Sequence, residues 1–478
     1  MSTYSNESDS VRGQCQSRQE YQHSDLSTCC SDELSADHEF APVAITKRDL
    51  DRPDSKYLTI EPEYNLLLPS QTAARSATQV PVARAPLDIC RLVHFHYRTF
   101  RITGSLKNPR WTWKRALIEV LAVRKSFPVV RDNRGALLAM TAWFHVLCNI
   151  DDEIERLDSE RTRAILACSI SMLRDASPDQ EEYNHDTAAP VHAAAKINVC
   201  TSESQDPSRD RIIALSQSLI EQCQSHLPGH ALSRVLSDII DVLDALSLES
   251  EIRDSLVAPS TAEYLSLRVR TIGISPFFTI LETGLLDHDR KEFQDLGQRV
   301  PCNVTDESPQ DYDINNIDTS AFWTSQHHVQ FRGYVNRIIG LQNDIVGLPK
   351  DLENNEMMNV ILLLADHGSN LKNGDERVQT ARSLAVAMHN TAVQEAMTLW
   401  ASVKASYCSH AATVYVDSLL AFTLTHFKWA KRTNRYQPKH RLISDIVVGA
   451  TERTAKVMTK FRAIRNNKKQ ETGVHTIT

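Results

Sequence analysis

The sequence predicts an all-α fold, one helical domain with polar flanks, and three observations lead there. Glycine is scarce, 14 in 478 residues, so the regular turn signals that a sheet needs are missing. Hydrophobic residues make up 41% of the chain, enough for a sizeable core once the polar ends are set aside. From Leu87 onward, apolar residues recur at helical spacing.

Taken in order, residues 1–84 are rich in Ser, Asp, Glu and Gln without sustained periodicity. They are expected to stay disordered, because they cannot bury enough surface to offset chain entropy. Arg115 to Val123 and Gly135 to Arg156 read as clear amphipathic helices. Two polar segments then interrupt the pattern: 175–210, with Pro178, Pro190 and Pro207, and 298–319, with Pro301 and Pro309. Both read as loop insertions, which chains tolerate at small entropic cost. Helical patterning resumes after Thr319 and runs to about Arg465, with a polar tail at 467–478. The helical domain is therefore placed at 85–466, with no internal repeat.

Composition narrows the function. A net charge of −7 argues against a general polyanion-binding surface, so no nucleic-acid partner is expected. The ten cysteines form no CxxC pair and no zinc-spaced Cys/His cluster, and read as free thiols in a reducing compartment. No apolar run follows a basic start, and none reaches the roughly 20 residues of a membrane span. A cytoplasmic protein is expected, as a monomer or homodimer.

Two acidic motifs carry the chemistry. Asp151-Asp152-Glu153-Ile154-Glu155 closes a helix whose Met140, Phe144, Leu147 and Cys148 share one face with Asp151. Asp151 and Glu155, four apart, are neighbours on that face. Paired carboxylates repel unless a cation lies between them, and hard oxygen ligands suit Mg2+. The second motif runs from Asn343 through Asp344, Gly347, Pro349 and Lys350 to Asp351. Asn343, Gly347 and Asp351 stand i, i+4, i+8, one above another. Lys350 can meet a phosphate as a point charge. Gly347 offers no side-chain oxygen, so a water would complete the shell. Pro349 is expected to kink the helix before Asp351.

Two further segments stand around these. In Tyr264-Leu265-Ser266-Leu267-Arg268-Val269-Arg270-Thr271-Ile272-Gly273-Ile274-Ser275-Pro276, Pro276 deprives the Ile272 carbonyl of its helical partner, and Gly273 lets the backbone bend. A helix breaking there turns a carbonyl dipole toward the cavity, one turn from the Arg268 guanidinium. Near the other end, Arg435-Tyr436 offers a bidentate phosphate clamp and a hydroxyl donor.

In this order and with these residue types, the four segments resemble the class I terpene synthases, whose second metal motif reads (N/D)Dxx(S/T/G)xx(K/R)(D/E). The resemblance covers 151–436. It implies a single-domain class I terpenoid synthase helical bundle around a central active-site cavity. It also implies three Mg2+ ions, two held with Asp151 and one with Asn343 and Asp351, at the Gly347 position. Glu155 would orient the first ligand or its waters. Arg268 would sense the substrate diphosphate, with Thr271 as linker and the Ile272 carbonyl as effector, while Lys350, Arg435 and Tyr436 bind diphosphate. The implied substrate is a linear prenyl diphosphate, and the implied activity is that of a terpene cyclase, a carbon–oxygen lyase acting on phosphates. Phe144, Leu147, Phe277, Phe278 and Trp400 are expected to line the cavity. The compact layout resembles microbial members that use farnesyl diphosphate. A diterpene cyclase acting on geranylgeranyl diphosphate and a non-catalytic helical scaffold are the alternatives. A chain-elongating prenyl diphosphate synthase would carry a second Asp-rich motif where this chain has Asn343-Asp344.

Overall fold

The computed structural model describes residues 58–70, 89–102, 109–131, 133–178, 206–255, 257–286, 321–354, 356–367, 374–407, 409–433 and 436. All lie in one compact unit. The helices follow the sequence pattern closely: α1 (Ile89–Ile102), α2 (Pro109–Ser126), α3 (Arg134–Ile154), α4 (Ser159–Asp175), α5 (Pro207–His226), α6 (Gly229–Asp254), α7 (Thr261–Thr271), α8 (275–286), α9 (Gln326–Asn354), α10 (Val360–His367), α11 (Gly374–Ser406) and α12 (His410–Ala430).

Their starts are chemically marked. Asn133, Asp158, Asp206 and Ser409 each accept a backbone N–H of the first turn, and Ser260 forms a reciprocal capping box with Glu263. Each such cap contributes about 1 kcal/mol by satisfying an orphan donor. α2, α3, α9 and α12, with the α7–α8 junction, enclose a central cavity. α5 packs on α3, α4 packs on α5 and α6, and α11 packs against α9 and α12.

The disordered stretch expected through residue 84 is corrected for 58–70. Leu58–Glu61 (β1) pairs antiparallel with Leu66–Pro69 (β2), in register Leu58↔Pro69 and Glu61↔Leu66. Leu66, Leu67 and Leu68 are all buried, and β2 packs on α11 and α12. Burying a leucine contributes about 1.5–3 kcal/mol, enough to order so short a hairpin against a preformed surface. A strand buried on both faces shows no alternation, so it carries no period to detect. The rest of 1–84, the bulk of both loop insertions and the segment beyond Tyr436 lie outside the described residues.

The break after α7 is where the sequence places it. α7 ends at Thr271, Gly273 adopts φ +69°, and Pro276 opens α8 in its first turn, where a missing N–H costs nothing. A Cβ on Gly273 would lie 2.6 Å from Leu147 Cδ1, so close approach as well as φ requires glycine here. α9, by contrast, runs unbroken from Gln326 to Asn354 with Pro349 inside it. Asp351 therefore stays on the helix beyond Pro349.

Candidate active site

Eighteen residues line the central cavity, and they divide by chemistry. Asp151, Arg268, Thr271, Asn343 and Tyr436 are polar, joined by Ile272 at the helix break. The apolar side is mainly aromatic: Phe127, Phe144, Phe277, Phe422 and Trp429, together with Leu147. Phe127 stacks on Phe422 at 4.7 Å and on Phe277 at 5.7 Å, while Phe144 meets Trp429 edge-on at 5.6 Å. Beside this cavity, and sharing Phe144, Cys148 and Trp429 with it, lies a wider pocket. Asp152, Glu155, Lys350, Asp351 and Glu356 line that one.

The second acidic motif splits its two leading residues between opposite tasks. Successive residues on a helix point about 100° apart. Asn343 faces the cavity, whereas Asp344 is buried beneath it. Asp344 accepts hydrogen bonds from Arg268 Nε (3.0 Å), Tyr264 Oη (2.8 Å) and the Val360 N–H (3.1 Å), so it fixes the Arg268 side chain from below. Arg270, two residues on, turns away and pairs with Asp241 at 2.7 Å. Asn359 secures the far end of the motif, donating to Asp351 Oδ2 at 2.8 Å and to the Asp344 carbonyl at 2.9 Å. Across the outer pocket, Lys350 Nζ reaches Glu155 Oε1 at 3.1 Å, joining the ends of the two acidic motifs.

A divalent cation fits these residues on two observations. The Asn343 Oδ1 atom is buried without a hydrogen-bond partner, an expensive state for a carbonyl oxygen. The Asp351 carboxyl is pushed up to about 7 by burial, and the negative Asp344 and Glu356 nearby add to this against the Asn359 hydrogen bond. A cation would relieve both. Gly347 lies between them: a Cβ there would stand 3.5 Å from Asp351 Oδ2 and 3.4 Å from Tyr436 Cδ1.

A second group could in principle hold a metal. His96, Glu119 and His145 are buried with ligand atoms within 4.8 Å of one another. Glu119 already accepts from Arg115 Nε (2.8 Å) and pairs with His96 Nε2 (3.0 Å) and His145 Nδ1 (3.2 Å). Three donors satisfy that carboxylate, and the guanidinium supplies the balancing charge, so the group ties α1, α2 and α3 together without an ion.

Of the residues singled out from sequence, the central cavity gathers Phe144, Leu147, Asp151, Arg268, Thr271, Ile272, Phe277, Asn343 and Tyr436. Glu155, Lys350 and Asp351 line the adjoining pocket. Two are corrected. Phe278 is fully buried in the core, 6.4 Å from Phe422 and with the Arg332 guanidinium 5.8 Å from its ring, because it points about 100° away from Phe277 on α8. Trp400 points from α11 to Asp417, donating to Oδ1 at 2.6 Å, and does not line the cavity. Arg435 lies outside the described residues. Sequence reasoning missed Phe127, Phe422, His426 and Trp429; the last three share a face of α12 at spacings of four and three, which a helical period would have grouped.

This bundle, with a polar and an aromatic side to one cavity, has the all-α class I terpene synthase fold. The chain belongs to terpene synthase family 2: residues 142–395, just over half its length, match that family's C-terminal metal-binding model. Among solved structures, a variant of the SVS_A2 protein from ancestral sequence reconstruction is 14% identical, covering 80% of this chain and 99% of that one at a TM-score of 0.50. A linalool/nerolidol synthase from Streptomyces clavuligerus is 16% identical over 74% of this chain and 98% of that one, with a TM-score of 0.46. A cucumene synthase variant is 15% identical over 75% and 100%, with a TM-score of 0.44. At such identities the likeness is one of fold. No curated protein sequence matches the chain.

Proposed function

We propose that this terpene synthase is a Mg2+-dependent cyclase that ionises a linear prenyl diphosphate, farnesyl diphosphate in the first instance. The allylic cation then cyclises to a sesquiterpene, and diphosphate is released. One observation carries the reading: Asp151, Arg268, Asn343 and Tyr436 meet in one cavity whose remaining wall is largely apolar and carries five aromatic side chains, Phe127, Phe144, Phe277, Phe422 and Trp429. A charged head and a cation-forming tail need that combination.

Asp151 on one side, and Asn343 and Asp351 on the other, are the residues that would hold the metal, three ions in all. Bound Mg2+ would supply the positive charge that stabilises the departing diphosphate. Arg268, held by Asp344, which Tyr264 anchors in turn, binds diphosphate oxygens in a fixed orientation. Lys350 and Tyr436 add donors beside it, and Arg435 is a further diphosphate donor on the sequence motif alone. Thr271 and the Ile272 carbonyl, one turn beyond Arg268, couple that contact to the reacting end. Phe127, Phe144, Phe277, Phe422 and Trp429 offer ring faces that attract a passing cation and exclude water.

The test is the purified chain with Mg2+ and, separately, C10, C15 and C20 prenyl diphosphates, with organic extracts read by gas chromatography–mass spectrometry. A cyclic product from the C15 substrate, lost with EDTA or in Asp151→Ala, is expected. Turnover of the C20 substrate alone would make it a diterpene cyclase. Consumption only when isopentenyl diphosphate is added would mean chain elongation, and release of diphosphate from none would leave a scaffold.

A further inference from the structure

We propose that His426 is the base that ends the reaction, taking a proton from the final carbocation at its Nε2 atom; this rests on the cyclase reading above. The ring's tautomer is set far from the cavity, beginning at the β-hairpin. Asn390 on α11 accepts the Leu67 N–H at Oδ1 (2.7 Å) and donates from Nδ2 to the Asn65 carbonyl (3.2 Å). A backbone N–H can only donate and a carbonyl can only accept, so the hairpin fixes which way the Asn390 amide points. Its Oδ1 also meets His389 Nδ1 at 3.1 Å, which must therefore carry the hydrogen. His389 Nε2 is then a lone pair, and it accepts from Gln342 Nε2 at 3.3 Å. That orientation turns Gln342 Oε1 toward His426 Nδ1, 3.0 Å away, so Nδ1 is the protonated nitrogen of His426. The remaining lone pair is on Nε2.

That lone pair belongs to the cavity. His426 lines it, and Nε2 makes no hydrogen bond among the described residues, yet is not one of the polar atoms sealed in the interior. Phe422 and Trp429 flank the ring at 6.1 and 5.8 Å, and the Gln342 bond stops it turning. Among the other described lining residues the polar side-chain groups are hydroxyls, a thiol, a guanidinium, an indole N–H that can only donate, and the carboxylate and amide assigned to metal; none is a free nitrogen base.

The step balances simply. A C–H bond next to the cationic carbon breaks, and its electron pair becomes the alkene π bond. The proton forms a bond to Nε2, giving a buried imidazolium near Arg268. That ion is disfavoured in such surroundings, so the proton passes to the diphosphate and leaves with it. A hydrogen beside a carbocation is so acidic that a weak base suffices, and position decides which proton is lost.

The full-length chain, Mg2+ and the prenyl diphosphate it turns over test this, with diphosphate release and product profile measured together for the parent, His426→Gln, His426→Phe and Asn390→Leu. Release is expected to stay within about three-fold, while the principal alkene's share falls at least about five-fold in the His426 variants. Hydrocarbons from loss of other protons, and alcohols, should replace it. Asn390→Leu, which touches no substrate, should shift products in the same direction by a smaller factor. The same principal alkene at the same share in both His426 variants overturns the proposal, as does a parent whose principal product is an alcohol. Release from no substrate by the parent overturns the cyclase reading instead. Nitrogen NMR of 15N-histidine-labelled parent, its His426 signal assigned by loss in a folded His426 variant, reads the tautomer without turnover. The Nδ1–H form is expected, and the Nε2–H form overturns the assignment.

Discussion

At the scale of single residues, the second metal motif makes two predictions. Metal-free, the folded chain keeps its Asp351 proton to about pH 7, against an ordinary value of 3.8. Between those values the native state binds more protons than the unfolded one, so the metal-free fold loses stability as pH rises through that window. Asp351→Asn removes the titration. Its metal-free melting temperature should exceed the parent's by about a few degrees at pH 8 and match it near pH 4, while turnover falls by about 100-fold or more. Because Mg2+ must displace that proton, the Mg2+ concentration for half-maximal turnover should rise as pH drops below about 7. Gly347→Ser tests the missing oxygen. The nearest atoms to its new Cβ lie at ordinary contact distance, 3.4 Å or more, so the hydroxyl fits. The Mg2+ requirement should fall by about three-fold, read from the same titration.

At the scale of elements, the α7–α8 break holds Leu147 against the backbone, and the Trp143 Nε1 atom donates to the Gly273 carbonyl at 2.8 Å. Gly273→Ala forces a side chain into a left-handed conformation, costing about 1–2 kcal/mol, and drives it into Leu147. A lower melting temperature with an altered product profile is expected, by thermal denaturation and chromatography. This break was legible in the sequence because Gly273 and Pro276 act locally. So were α2, α3 and α9, whose periods and motifs sit within a few turns. Phe277 and Phe278 were not separable, since a period names a face only once the partner surface is known. Trp400 misled for the same reason: its face of α11 meets Asp417, not the cavity. His426 was illegible in a deeper sense. Its role depends on Asn65, Leu67, Gln342, His389 and Asn390, which only the fold brings together.

At the scale of the whole molecule, the two acidic motifs come from helices that must stay apposed while like charges face one another. Lys350 and Glu155 bridge them, but a surface pair of this kind is worth only about 0–1 kcal/mol. Ligands are therefore expected to contribute much of the cohesion. Mg2+ with inorganic diphosphate, each well above its dissociation constant, should raise the melting temperature. About 100-fold saturation adds about 2.7 kcal/mol. Neither alone should match the pair, and Asp151→Ala should abolish the shift in a thermal scan.

The stretch by which the family is recognised, 142–395, holds only part of the cavity wall, Phe144, Leu147 and Phe277 among it. Phe127, Phe422, His426 and Trp429 line the cavity from outside it, and the hairpin that orients the His426 ring is further off still. On the proposed reading, a chimera carrying 142–395 of this chain inside another synthase would inherit Asp151, Arg268 and Asn343 but only part of the apolar wall. Exchanging α12 together with residues 58–70 should move product identity more than exchanging the recognised core. Breeding new terpenes from this scaffold would then begin at its margins.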